Sequence, residues 1–179
     1  MLGTDYTNTT LLHLGLLIVR SIVGFGIAAH GAQKLFGMFG GYGLEGTGGF
    51  MESLGFRPGV RYAFMAGMAE FTGGMLLALG LAGPIGPALI MVTMIVAIGT
   101  VHKGRGFFAA NNGWELPLMF ASGALAFALL GPGRYSLDFL LDVERFWTPA
   151  RIIAVVAAAL IAAVVSLAVL RKRHEEVTV

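Results

Sequence analysis

The 179-residue chain contains no cysteine. Disulfides, thiolate metal sites and any thiol relay within the chain are therefore excluded. Charge is nearly as scarce. Only 12% of the residues are Asp, Glu, Lys or Arg, against about 25% in an average soluble domain. A soluble fold of this size could not clothe its surface with so few polar side chains. Lys and Arg are also missing from MLGTDYTNTT, ahead of the first apolar run. A cleaved secretory signal normally carries a basic n-region, so the first run is expected to stay as a helix. What is abundant is apolar. Hydrophobic residues make up 56% of the chain, and the mean hydropathy is +0.80.

These proportions predict an all-α integral membrane protein. A helix needs about 20 residues to cross the hydrocarbon core. Five runs qualify or nearly so: Leu11–Gly31, Tyr62–Ala82, Ile85–Val101, Trp114–Leu130 and Ile152–Leu170. The expected architecture is a four-helix transmembrane bundle over 11–142 plus a fifth C-terminal transmembrane helix within 143–173. A short segment, 1–10, precedes it and a tail, 174–179, follows. Gly83-Pro84-Ile85-Gly86-Pro87 is a tight turn and makes the second and third helices antiparallel neighbours. Residues 37–60 hold nine glycines. Within them, Thr47 can cap a short helix running to Leu54. The polar and aromatic segment Arg134–Trp147 reads as a short amphipathic helix at the membrane interface. No internal repeat is visible, which argues against a transporter built on inverted repeats.

The net charge of +2 and pI near 9.2 would raise nucleic acid in a soluble protein. Here the basic residues cluster at the ends of apolar runs, where they act as topology signals, and no nucleic-acid partner is expected. Eight of them lie on one side: Lys34, Arg57, Arg61, Lys103, Arg105, Arg171, Lys172 and Arg173. Arg134, Arg145 and Arg151 lie on the other. The positive-inside rule then places the N-terminus outside and the C-terminus in the cytoplasm of a plasma (inner) membrane.

Arg20 falls inside the first apolar run and Glu70 inside the second. An unpaired ion at the bilayer centre costs at least about 2.5–3.5 kcal/mol, so such groups face the bundle interior with a partner. Counted from the run ends, the two stand at similar depth, which predicts an Arg20–Glu70 ion pair. A purely structural pair that fixes helix register explains them equally well. His30 and Lys34, four residues apart, share a helix face. His102 closes the third run and Glu115 opens the fourth. The topology puts these four at the cytoplasmic rim, where together they could hold an anionic or quinone-like headgroup and pass a proton. The plainer reading is that Lys34 and Lys103 snorkel, Glu115 complements a helix dipole and the histidines are interfacial. Two lone histidines argue only faintly for haem, and His13, about 25 Å along the helix from His30, cannot join them. No metal site is expected. Gly41-Tyr42-Gly43-Leu44-Glu45-Gly46 matches G-x-G-x-x-G. It follows a membrane helix rather than a strand and is no dinucleotide fingerprint. Gly24, Gly26, Ala28 and Ala29 in the first run, and Gly67, Gly73 and Gly74 in the second, allow close helix contact.

An ordered series of short motifs runs along the same residues. It comprises Arg20 with His30-Gly31-x-x-Lys34-Leu35, Glu70-Phe71-x-Gly73-Gly74, Gly80-Leu81, His102, Gly106-Phe107, Asn112-Gly113-x-Glu115, and Gly131-Pro132-Gly133-x-x-Ser136-Leu137-Asp138. In this series the chain resembles the DoxX family of small membrane proteins over about residues 11–142. The resemblance implies a four-helix membrane core and a loosely defined role. Relatives include a subunit of a thiosulfate:quinone oxidoreductase, a member of a membrane oxidoreductase complex, and distant assembly chaperones. It implies a quinone-linked redox subunit with a protein partner in the membrane or, alternatively, a non-enzymatic scaffold or assembly factor. The fifth helix departs from the family pattern, and the lack of cysteine puts thiol chemistry by this chain in doubt. Ser136 and Asp138 follow the last motif, with Asp138 expected to cap or pair at the outer surface, for instance with Arg134.

Overall fold

A computed structural model describes residues 9–177, with side chains described through Val169. Segment 1–8, Arg171–Arg173 as side chains, and the end of the tail lie outside the described residues. The chain is all-helical there, with α1 (Thr9–Phe36), α2 (Gly43–Ser53), α3 (Gly59–Leu79), α4 (Ile85–Gly99), α5 (Glu115–Leu130), a four-residue α6 (Leu137–Leu140) and α7 (Pro149–Val177). By length and apolarity α1, α3 and the stretch Pro149–Val169 of α7 can each cross a membrane, and α4 and α5 are shorter apolar helices.

The ends of α3 and the start of α5 have local causes. Gly80 adopts φ 63°, in the left-handed region where only glycine is comfortable. Its N–H bonds Leu77 O, and Leu81 N–H reaches back to Leu76 O at 2.9 Å, closing α3 with a Schellman-type cap. The expected span to Ala82 therefore ends three residues early, and Ala82 lies in the turn with φ 62°. At the other end, Pro58 supplies the extended residue before α3, and Gly59 N–H is capped by Glu52 Oε1 at 3.0 Å. Pro117 sits in the first turn of α5, where its missing N–H costs nothing.

Packing runs α1–α3–α4–α5, with α2 laid against α3 and, more lightly, α1, and α7 against α4 and, more lightly, α5. The core gathers Ile27, Leu77, Ile90, Met91, Met94, Ala124 and Phe127 from α1, α3, α4 and α5. The closest seam is α1 against α3. A Cβ on Gly24 would stand 2.5 Å from Ala78 N and 2.6 Å from Gly74 O, and one on Gly31 would stand 2.7 Å from Gly67 O. Lipid supplies no hydrophobic drive between helices, so small residues that let backbones touch carry the association. Gly26, by contrast, faces open space. α7 lies at the periphery of the bundle. Among its described side chains only Ala159 and Ala163 are buried, and Leu167 fills the space over Gly99.

Two local expectations are corrected. The short helix of the glycine-rich loop begins at Gly43, and Thr47 is buried inside it rather than capping it. Gly43 starts the helix from φ 64°, which no β-branched cap could supply. Segment Arg134–Trp147 is not one amphipathic helix. It is α6 followed by a 3-10 turn over Glu144–Phe146, broken at Asp142 with φ 57°.

Candidate functional site

The α1–α3 seam fixes which intramembrane charges can meet. Gly24 lies against Ala78 and Gly31 against Phe71. Arg20, one turn before Gly24, therefore sits level with Gly80, beyond the end of α3. Glu70 lies level with Gly31, eleven residues or roughly 16 Å further along α1. The expected Arg20–Glu70 pair does not form. Similar depths counted from the run ends gave the wrong register, because glycine contacts rather than run length set how far one helix slides along the other.

Glu70 instead takes Lys34 as its partner, in an ion pair between α1 and α3. Lys34 reaches back along the seam to a carboxylate in the middle of α3. The Glu70 side chain is 6% exposed and that of Lys34 27%, so the pair is closed on one side and open on the other. One turn earlier on α1, the His30 ring contacts Gln33 Oε1 at 3.1 Å. Gln33 Nε2 in turn donates to Phe39 O at 3.2 Å and ties the 3-10 turn Met38–Gly40 to the helix end.

Arg20 has a different task. It is 2% exposed and donates to three carbonyls: Ala78 O, Leu77 O at 3.4 Å, and Tyr135 O. Two of these are carbonyls in the last turn of α3, of which Leu77 O also accepts from Gly80 N–H, and the C-terminal end of a helix is a favourable place for a cation. The third belongs to the segment after α5, so the guanidinium ties α1, α3 and that segment together. Asp138 completes the cap. It is fully buried, and its carboxylate accepts from Ala82 N–H at 2.8 Å and Gly83 N–H at 2.6 Å, while its own N–H donates to Gly80 O at 3.0 Å. The suggested Asp138–Arg134 pair gives way to these backbone donors, which the left-handed turn at Ala82 and Gly83 aims at one point. Ser136 caps α6, accepting from Phe139 N–H and donating to Gly133 O. Gly80 lies between the two charged groups. A side chain there would meet Ser136 Cβ at 2.6 Å and Arg20 Cζ at 3.0 Å.

His102 and Glu115 do not join His30 and Lys34. His102 Nδ1 contacts Asn112 O at 2.6 Å, and Glu115 Oε2 accepts from Ala109 N–H at 2.8 Å. Both bonds close the α4–α5 connection on itself. Packing of α1 on the α3 side and α5 on the α4 side keeps the two pairs apart. The four-residue headgroup site at the rim therefore resolves into a Lys34–Glu70 centre, with His30 on a neighbouring turn, and a separate loop clasp. The α4–α5 loop also gathers Phe107, Phe108 and Trp114 in edge-to-face contacts. Sequence reasoning missed Gly80 as the position between the two charged groups. It stands in the Gly80-Leu81 motif, but its role depends on contacts between distant segments.

A model of the DoxX family matches residues 15–103. A Bacillus subtilis protein that bears the name "Putative oxidoreductase CatD" is 34% identical over 125 residues, covering 70% of this chain and 85% of that protein. An uncharacterized protein of Haemophilus influenzae is 30% identical over 130 residues, covering 69% of this chain and 87% of its own length. No solved structure matches.

Proposed function

Because the chain belongs to the DoxX family, and is thus a helical membrane protein, we propose that it serves as a membrane subunit of a quinone-linked redox system. The observation that carries this reading is the Lys34–Glu70 pair, an intramembrane ion pair between α1 and α3 with one open side. A lysine in that position can donate to a quinone oxygen, and a carboxylate can hold the proton that accompanies electron transfer. His30, exposed one turn away, offers a second proton carrier. The relative named as an oxidoreductase supports the same direction. A thiol electron donor would have to sit on a partner protein, since the chain carries no cysteine of its own. The basic residues orient the chain with α1 entering from outside and the α2 side in the cytoplasm of the inner membrane.

The test is purification with any co-purifying proteins, followed by quinone titration and quinol- or thiosulfate-dependent turnover. Lys34→Met should raise the quinone concentration needed for half-saturation roughly tenfold, the loss of one charged hydrogen bond. Absence of both quinone binding and turnover in the intact complex overturns the reading. The second reading is a scaffold or assembly factor. It is favoured by Arg20 and Asp138, whose charges are bound to backbone groups that hold helices together. Under that reading, deletion of the gene lowers the amount of another membrane protein without changing any activity per molecule of it.

A further inference from the structure

At the end of the bundle where α1 begins lies a pocket of about 420 Å³. Its walls come from the first turns of α1, the α3–α4 turn, the end of α5 and the segment leading into α7. It is separate from the Lys34–Glu70 centre, and neither Arg20 nor Asp138 lines it. Four side chains give it chemistry: His13, Arg134, Glu144 and Trp147.

The Trp147 indole N–H is buried and has no hydrogen-bond partner. The indole stands directly over Gly83, and Phe146 packs edge-on against its face at 5.0 Å. A buried donor left unpaired costs about 1–3 kcal/mol, so its position against a pocket asks for an acceptor. His13 Nδ1 accepts from Arg134 N–H at 3.4 Å, which places the ring proton of the neutral imidazole on Nε2 as a further donor. Arg134 and Glu144 bring opposite charges to the same pocket, yet no ion pair joins them among the described residues.

These features exclude simple ligands. A purely anionic group would meet the Glu144 carboxylate, a purely cationic one would meet Arg134, and an apolar one would leave the indole N–H unanswered. A group with a phosphate and an ammonium a few ångströms apart answers all four. Leu129 and Leu130, which also line the pocket, are 59% and 68% exposed, so the apolar flank that meets lipid chains continues into the pocket wall. Tryptophan at that boundary is where membrane proteins place it.

We propose that this pocket binds the zwitterionic headgroup of an aminophospholipid, with Arg134, His13 and Trp147 donating to the phosphate and Glu144 accepting from the ammonium. A soluble phosphate ester with an amine carries the same headgroup chemistry, and the apolar flank favours the lipid.

The experiment is lipid retention by the full chain, measured by native mass spectrometry after delipidation and addition of phosphatidylethanolamine, phosphatidylglycerol or phosphatidylcholine. The wild type should retain phosphatidylethanolamine over the other two. Trp147→Phe keeps the ring and removes the donor, and should lower that retention roughly fivefold. Glu144→Gln should abolish the preference over phosphatidylglycerol while leaving the melting temperature unchanged. Glycerophosphoethanolamine in solution should displace the lipid only at far higher concentration; displacement at equal concentration would overturn the lipid as occupant. Equal retention by wild type and Trp147→Phe, or a preference that survives Glu144→Gln, would overturn the site. Should Trp147→Phe fail to fold, the Glu144→Gln preference decides alone.

Discussion

Arg20 shows how one side chain can look like half of an ion pair and act as a cap. Its guanidinium spans Ala78 O and Tyr135 O, groups from two segments far apart in sequence. Arg20→Leu would strand those carbonyls at about 1–3 kcal/mol each, and the thermal melting temperature in detergent should fall accordingly. Arg20→Lys should also lose stability, because a single ammonium cannot reproduce the planar fork that reaches both carbonyls. Adding Glu70→Leu should not rescue Arg20→Leu, since the two side chains do not touch. Lys34→Leu and Glu70→Leu, by contrast, should be non-additive by roughly 0.5–3 kcal/mol in a double-mutant cycle. Asp138 extends the point to a carboxylate. Asp138→Asn keeps one acceptor for the Ala82 and Gly83 N–H groups and loses the other, so its loss of folded yield should be smaller than that of Asp138→Ala.

Between elements, the glycine seam does what hydrophobic burial does in water. Gly24 and Gly31 of α1 lie against the α3 backbone, and reciprocally a Cβ on Gly74 would stand 2.5 Å from Ala28 N. Gly24→Ala or Gly74→Ala should force the helices apart and sharply reduce monodisperse protein on gel filtration. Gly26→Ala, on the same helix but facing open space, should be neutral or stabilising by up to about 1 kcal/mol through helix propensity. The small residues of both runs were legible as a contact signal. Which glycine meets which residue was not, and that register decides that Glu70 meets Lys34 and Arg20 meets the end of α3. The same applies to the α4–α5 loop. The motif residues His102 and Glu115 were visible in sequence, but their partners, Asn112 O and Ala109 N–H, exist only once the loop folds on itself.

For the whole molecule, the sided distribution of Lys and Arg gives a direct test of topology. A chain without cysteine accepts single reporters cleanly. Lys103→Cys, in the exposed α4–α5 loop, should be modified by a membrane-impermeant thiol reagent only after the cytoplasmic face is opened, and Arg145→Cys in intact spheroplasts. The reverse pattern would invert the proposed orientation and move the Trp147 pocket to the cytoplasmic face.

The sequence by itself determined the class of this protein: an all-helical membrane chain, five apolar runs, an unusual set of intramembrane charges and a family membership carried by ordered motifs. Those properties follow from composition and from the period and length of apolar runs, which are local quantities. Tertiary structure alone decided the partners. Arg20 became a cap, Asp138 a clasp on the α3–α4 turn, Lys34 the counter-ion of Glu70, and Trp147 an unanswered donor in a pocket. Each of those outcomes depends on how far α1 slides along α3 and where the segment after α5 returns. That offset is set by backbone contact at a few glycines, and no count along a single helix contains it.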